Sequence, residues 1–305
     1  MKPVKEKEER TVWIIAFLLV LAIMICYLVS VSYGVCRPLF YPRAAKREKY
    51  AMPPGGKVFE CVTSDGCKLK VRVFYTARRQ GRAVILVPDG GRPGTSLYRQ
   101  AEWFLHRGYD AVLADQRGCG RKERRPVTLG YREHRDLRLI FTLARRILGE
   151  ECRIGTYGVG VGAVTALLHA CLDERVDFVV ADSPWSDLRE RLRRILIEDL
   201  QMPPYPVLWV IEWMSRILAG VPVKEVSPLG AIRRRGGLVA TPVMFIASET
   251  DRGKEMVREL YEAKQGEKVF YLCPNPGETK DHSIQYGFQM EAFLRETAED
   301  KRAVV

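Results

Sequence analysis

Residues 153–170 read RIGTYGVGVGAVTALLHA, and this stretch decides the fold class. It combines an apolar strand, a turn rich in glycine and an apolar helix, in that order. Two kinds of α/β protein place their chemistry at such a turn. One carries a nucleophilic side chain at the apex, and the other binds a dinucleotide pyrophosphate across its glycines. The apex residue here is Gly160, which has no side chain to offer.

Strands and helices alternate on both sides of this turn. A hairpin around Asp65 and Gly66 comes first, because residues on either side alternate between apolar and polar. The pattern then predicts strands at 83–89, 110–115, 153–159, 176–182, 241–248 and 268–274, and helices at 96–107, 134–148, 161–172, 253–264 and 283–299. This alternation predicts a mostly parallel sheet with helices on both faces.

Residues 185–237 interrupt the alternation with helical sequence. One segment carries leucine and isoleucine on a single face, and a second, PVLWVIEWMSRILAGV, is apolar nearly all round. Two such helices inserted between strands predict a cap over the carboxyl edge of the sheet. Two further core helices are the alternative.

The N-terminal region carries an uncharged apolar run from Thr11 to Cys36. As a helix it reaches about 39 Å, whereas a bilayer core needs about 30 Å. We therefore predict a single-pass membrane anchor at 11–36, preceded by a tail at 1–10 and followed by a basic linker at 37–57. A buried core helix is the alternative. Basic residues flank the run on both sides, so the side of the membrane that holds the globular domain stays open.

Beside a membrane anchor, the net charge of +12 favours the anionic surface of a lipid bilayer as a partner, and a solvated basic surface with no specific partner is the alternative. The sequence contains no nucleic-acid-binding motif, so nucleic acid is not an expected partner. The eight cysteines and four histidines lack metal-binding spacing, and we expect neither a metal nor a cofactor. Disulfide state and oligomeric state stay open.

A dinucleotide-binding interpretation of the turn has some support. Gly158, Gly160 and Ala163 match the pattern G-x-G-x-x-A between a strand and a helix. Asp182 follows at the end of the next strand, where an acid that binds ribose belongs. Three strands precede the turn, however, whereas this fingerprint usually opens its domain.

The remaining motifs resemble α/β-hydrolases, specifically the serine-aminopeptidase-like branch that includes membrane-anchored members. The turn fits the nucleophile elbow, small-x-nucleophile-x-small, with Gly160 at the nucleophile position. The other matching segments are VILVPDGG, where the family has a strand ending in His-Gly and this chain has Asp89-Gly90, then LADQRGCG, LGYREHRDL, VVADSPWSDL, PVMFIASETD and KDHSIQY. The resemblance runs from about residue 58 to 297 and implies an α/β-hydrolase domain over 58–300, with the helical cap at 185–237.

The resemblance also implies the roles of individual residues. Asp251 corresponds to the acid of the catalytic triad and His282 to its base, in the order this fold uses. The backbone N–H groups of Gly91 and Val161 correspond to the oxyanion hole. Gly160 stands where the nucleophilic serine belongs, and it supplies no atom that can attack an acyl carbon.

The missing serine decides the functional hypothesis. In another serine hydrolase, loss of the serine alone lowers turnover by about 10⁶-fold. We expect a membrane-anchored relative of acyl hydrolases (ester, amide or peptide) that lacks serine chemistry and keeps a pocket for an acyl, lipid or peptide-like ligand. The alternative is an active hydrolase that uses Asp251 and His282 with an activated water or with Thr95, Ser96 or Cys119 as nucleophile.

Overall fold

The structure is a computed structural model that describes residues 2–42, 55–77, 79–119, 125–234, 238–274 and 284–300. Within these ranges the chain forms an eight-stranded sheet with the strand order β1-β2-β4-β3-β5-β6-β7-β8. The strands are β1 Lys57–Val62, β2 Lys68–Phe74, β3 Arg82–Val87, β4 Asp110–Ala114, β5 Arg153–Val159, β6 Val179–Asp182, β7 Val243–Ser248 and β8 Lys268–Cys273. Strand β2 pairs antiparallel with β1 and β4, and the neighbours from β4 to β8 pair parallel. The predicted hairpin and the mostly parallel sheet are confirmed.

Helices cover both faces of the sheet, as the alternation predicts. They are α1 Lys2–Phe40, α2 Tyr98–His106, α3 Glu133–Leu148, α4 Val161–Ala170, α5 Leu188–Arg194, α6 Val207–Ala219, α7 Pro228–Arg234, α8 Lys254–Ala263 and α9 Ile284–Asp300. One core cluster joins the sheet to α3, α4 and α8, and a second joins it to α2 and α9. Strands β4 and β7 are buried along their whole length because helices shield both of their faces.

The interrupting segment builds a cap from α5, a π-helical turn over Ile195–Asp199, and α6. Their buried residues form a third cluster with the end of α1 and the start of α4. Helix α7 lies elsewhere, since its Ile232 belongs to the main core beside α8. The cap is therefore shorter than the predicted 185–237.

Helix α1 is long and apolar enough to cross a membrane over Glu9–Phe40, with a mean hydropathy of 3.0 in its most apolar window. Most side chains between residues 9 and 30 are exposed, whereas Ser32, Cys36 and Phe40 are buried. The helix thus continues past the predicted 11–36 and includes Pro38. Most of the predicted linker, residues 43–54, lies outside the described residues.

The loop after β4, which the sequence resemblance singled out, is fixed by buried charges. Arg117 donates to both oxygens of Asp136 at 2.7 Å and to Asp65 at 3.0 Å. Asp115 accepts hydrogen bonds from Arg72 and from the backbone N–H of Gly94, both at 2.8 Å. These carboxylates anchor loops around the carboxyl edge of the sheet, whereas Gly120 lies outside the described residues.

Candidate functional site

The turn between β5 and α4 has the backbone geometry of an elbow. Gly160 at its apex has φ 55° and ψ −117°, a left-handed conformation that costs an L-residue strain. A Cβ at Gly158 would clash with the carbonyl of Gly162, and a Cβ at Gly162 would clash with the carbonyl of Val87. Both flanking positions therefore require glycine, which explains the small-x-x-x-small spacing.

The side chain of Asp89 occupies the space beside the bare apex. A Cβ built on Gly160 would clash with Oδ1 of Asp89. The same oxygen accepts hydrogen bonds from the backbone N–H of Val161 at 3.0 Å and from that of Gly90 at 2.8 Å. Val161 is one of the two predicted oxyanion-hole donors, so in this structure that donor is already bound by a carboxylate of the chain itself.

The other predicted site residues divide into two groups. Asp251 follows β7 and lines the same cavity as Gly160, with its Oδ1 accepting from the backbone N–H of Gly253 at 2.8 Å. Gly91 has φ +71° and packs beneath Pro42, against which a side chain at this position would clash. His282 lies outside the described residues. The apex, the predicted acid and Val161 are thus brought to one place, and the role of each stays a prediction.

A cavity of about 480 Å³ opens above the elbow, at the carboxyl edge of the sheet and beneath the cap. The end of α1 contributes Pro38 and Leu39 to its wall, α5 contributes Leu188, Arg191 and Leu192, and the π-helical turn contributes Ile195. The charged groups of the lining are Asp89, Asp251 and Arg191, as far as the described residues define it. Thr95, Ser96 and Cys119 are all described and do not line this cavity.

A buried polar network lies beside the elbow, at the end of the neighbouring strand β6. Asp182, at the end of β6, accepts hydrogen bonds from Ser183 at 2.9 Å and from the hydroxyl of Tyr286 at 3.1 Å. The Tyr286 hydroxyl also lies 3.0 Å from that of Tyr157. Burial raises the pKa of Asp182 to about 7, and the nearby charge of Asp251 adds to this.

The burial of Asp182 removes the main support for the dinucleotide interpretation. Its relative exposure is 1%, and both carboxylate oxygens already accept hydrogen bonds from the protein. A carboxylate in this position cannot reach the hydroxyls of a ribose on the surface.

Comparison with known proteins agrees with this topology. A family model for the X-Pro dipeptidyl-peptidase (S15 family) matches residues 65–195. An esterase of Pyrococcus furiosus, PF2001, superposes with a TM-score of 0.64 over 85% of this chain and 97% of its own, at 20% identity. This chain has an α/β-hydrolase fold.

Curated relatives of this chain match part of its length. The uncharacterized protein YqkD of Bacillus subtilis (strain 168) is 32% identical over 60% of this chain and 59% of its own. The thiohydrolase apmlB of Arthrinium phaeospermum is 31% identical over 41% of this chain and 42% of its own. The chain therefore spans about half the length of the curated relatives that it matches.

Two features of the site were missed by sequence reasoning. The substitution of Asp89-Gly90 for His-Gly was visible, but nothing in the sequence indicated that the Asp89 carboxylate turns towards Gly160. The end of α1 was assigned to an anchor and a linker, although it forms part of the cavity wall. Both features arise from contacts between segments far apart in the chain.

Proposed function

We propose that this protein is a membrane-anchored α/β-hydrolase-fold protein that binds an acyl or lipid ligand beneath its cap and lacks serine-nucleophile catalysis. The observation that carries the proposal is the position of the Asp89 carboxylate. It fills the space beside the Gly160 apex and accepts the hydrogen bond of Val161 N–H at 3.0 Å.

The chemistry of acyl transfer conflicts with this arrangement in two ways. An acyl-enzyme needs an attacking atom at the elbow, and residue 160 is glycine. An oxyanion hole stabilises developing negative charge with free N–H donors, but the N–H of Val161 already binds a carboxylate. A second negative charge beside Asp89 would be repelled, so stabilisation of an oxyanion at this place is lost as well.

The cavity supports an acyl or lipid ligand over a peptide-like one. Apolar side chains from α1 and α5 make up much of its wall, and Arg191 supplies one positive charge. An acyl chain whose anionic head group pairs with Arg191 on α5, and does not lie against Asp89 and Asp251 at the elbow, matches both features. Pro38 and Leu39 also continue the apolar helix α1, so a ligand that partitions into the bilayer reaches the cavity along that helix.

The anchor is the second part of the proposal. The span Glu9–Phe40 is long enough for a bilayer, and most of its side chains up to residue 30 are exposed. Exposed leucine, isoleucine and phenylalanine in one continuous helix are stable in lipid and costly in water. The net charge of +12 favours an anionic membrane surface beside the anchor.

The direct test is an ester hydrolysis and probe assay on the full chain in detergent. Short-chain aryl esters should not be turned over, and a serine-directed fluorophosphonate should leave the protein unlabelled. An α/β-hydrolase with an elbow serine serves as the positive control. Turnover that disappears in His282→Ala would overturn the proposal and favour hydrolysis by an activated water with Asp251 and His282.

A further inference from the structure

Helix α6 has an exposed apolar face that the globular domain does not cover. Trp209, Trp213 and Ile217 lie four residues apart on this face, with relative exposures of 60%, 61% and 62%. The opposite side of the helix carries Leu208 and Ile211, which are fully buried in the cap cluster. Large apolar side chains aligned along a helix in this way mark a surface that contacts something other than water.

Helix α6 packs beside the end of α1 through its buried side, and its exposed face points away from α1. Two contacts join the helices, Ser32 Oγ to the carbonyl of Val207 at 3.5 Å and Cys36 Sγ to that of Ile211 at 3.9 Å. Just after α1, the Tyr41 hydroxyl donates to the carbonyl of Leu218 at 2.8 Å. Residue numbers rise together in both helices, so α6 runs parallel to α1. Its first turn is level with Ser32, which still belongs to the uncharged run 11–36.

The positions of the charged residues on α6 are compatible with a membrane boundary. Arg216 is exposed in the last turn of α6, at the end of the helix that is level with Tyr41 rather than Ser32. Glu212 is largely buried and pairs with Arg189 at 2.5 Å and with Lys224 at 3.7 Å. The end of α6 that is level with Ser32 therefore carries tryptophan and, among the described residues, no unpaired acidic group. The end that is level with Tyr41 carries Arg216, whose long side chain can reach the lipid headgroups.

We propose that the exposed face of α6 inserts into the headgroup boundary of the same bilayer that holds α1. The occupant of this face is lipid, because α6 packs parallel to the end of α1 and holds the face level with the uncharged run of that helix. Tryptophan is enriched at that depth, and an amphipathic helix with an apolar face lies stably there. The inference rests on the proposed anchor and adds a second point of insertion, which presses the cap against the membrane surface.

The five tryptophans of the chain provide the test. The full chain is labelled with fluorotryptophan, placed in phosphatidylcholine–phosphatidylglycerol nanodiscs, and studied by fluorine NMR, with single Trp→Phe variants to assign the signals. A nitroxide high on the lipid acyl chain should broaden Trp209 and Trp213 as strongly as Trp13 of the anchor. A soluble gadolinium chelate should affect these three residues less than it affects a tryptophan exposed to water.

A matched control comes from the opposite edge of the sheet. Leu172 is 45% exposed and follows the end of α4, which runs away from the cavity. The signal of Leu172→Trp should respond to the soluble chelate and not to the lipid nitroxide. This comparison separates insertion from mere exposure.

Two outcomes would overturn the inference, and they differ from failure of the anchor. If the nitroxide broadens Trp13 but the chelate alone broadens Trp209 and Trp213, the α6 face lies in water. If neither agent reaches Trp209 and Trp213, protein covers the face instead of lipid. If Trp13 also escapes the nitroxide, the anchor itself is refuted, and the inference falls with it.

Discussion

The carboxylate of Asp89 accepts a hydrogen bond from the backbone N–H of Val161, at 3.0 Å, in the space beside the Gly160 apex. Glycine at residue 160 and aspartate at residue 89, the two positions at which the resemblance predicts a departure from the hydrolase pattern, are therefore physically coupled. A side chain at residue 160 would displace the carboxylate, and without the carboxylate the N–H groups of Gly90 and Val161 would lose their acceptor. The absence of a side chain at Gly160 leaves room for the Asp89 carboxylate, and the carboxylate fills that room and accepts the Val161 N–H.

This coupling predicts that Gly160→Ser alone does not restore a reactive serine. The new side chain would meet Asp89 Oδ1 and adopt φ +55°, so we expect a loss of about 1–3 kcal/mol in stability and no fluorophosphonate labelling. The double variant Gly160→Ser/Asp89→Ala removes the clash and frees Val161 N–H. We expect labelling in that variant, measured by gel fluorescence on the full chain with α1 included.

Asp89→Ala alone is the control for this experiment, because it frees the donor without adding a nucleophile, and it should stay unlabelled. Labelling of Gly160→Ser by itself would contradict the coupling. Absence of labelling in a folded double variant would mean that Asp251 and His282 no longer activate a serine at the elbow.

The sequence predicted much of this fold because the information is local. Apolar strands buried on both faces, Gly158 and Gly162 at the turn, and the order of the motifs were sufficient for the mostly parallel sheet, whereas the order of its strands was not predicted. The orientation of the Asp89 side chain depends on a bond to Val161, 72 residues away. The role of Leu39 in the cavity depends on how α1 packs against the cap. Periodicity carries no signal for such contacts.

A second prediction concerns the buried ion pair between Arg117 and Asp136. Their side chains are 4% and 8% exposed, and two hydrogen bonds of 2.7 Å join them. Arg117→Met leaves the Asp136 carboxylate buried without its partner, so we expect the free energy of unfolding to fall by about 3–5 kcal/mol. Arg295→Ala serves as the control, because its pair with Glu291 is exposed and should contribute less than about 1 kcal/mol. Equal losses in urea unfolding would contradict the prediction.

The pKa of Asp182 predicts a pH dependence of stability. Burial raises it from an ordinary 3.8 to about 7. Between these values the unfolded chain loses the proton of Asp182 while the folded chain keeps it. The free energy of unfolding therefore falls as pH rises from about 4 to 7, by up to roughly 4 kcal/mol for a shift of this size, and levels off above pH 7.

Asp182→Asn isolates this contribution, because the amide retains a similar shape and does not ionise. The melting temperature of Asp182→Asn minus that of the parent should increase from pH 4 to pH 7. The contributions of the other titrating groups are common to both proteins and therefore cancel in this difference. A difference that stays constant over this range would show that Asp182 is ionised in the folded protein.

The final prediction concerns the acyl or lipid ligand that we propose for the cavity. Arg191 lines the cavity and makes no ion pair with any described residue, so its guanidinium is available to an anionic head group. We expect Arg191→Gln to weaken binding of a fluorescent polyene fatty acid by about 10- to 100-fold, since hydrogen bonds to charged groups contribute about 1.5–3 kcal/mol. Arg193→Gln is the matched control, because Arg193 lies on the same helix, pairs with Glu190 and does not line the cavity. Binding of the corresponding fatty alcohol should depend little on Arg191. If Arg191→Gln and Arg193→Gln weaken binding of the acid equally, the effect comes from the general charge of the surface, and the cavity does not hold the head group.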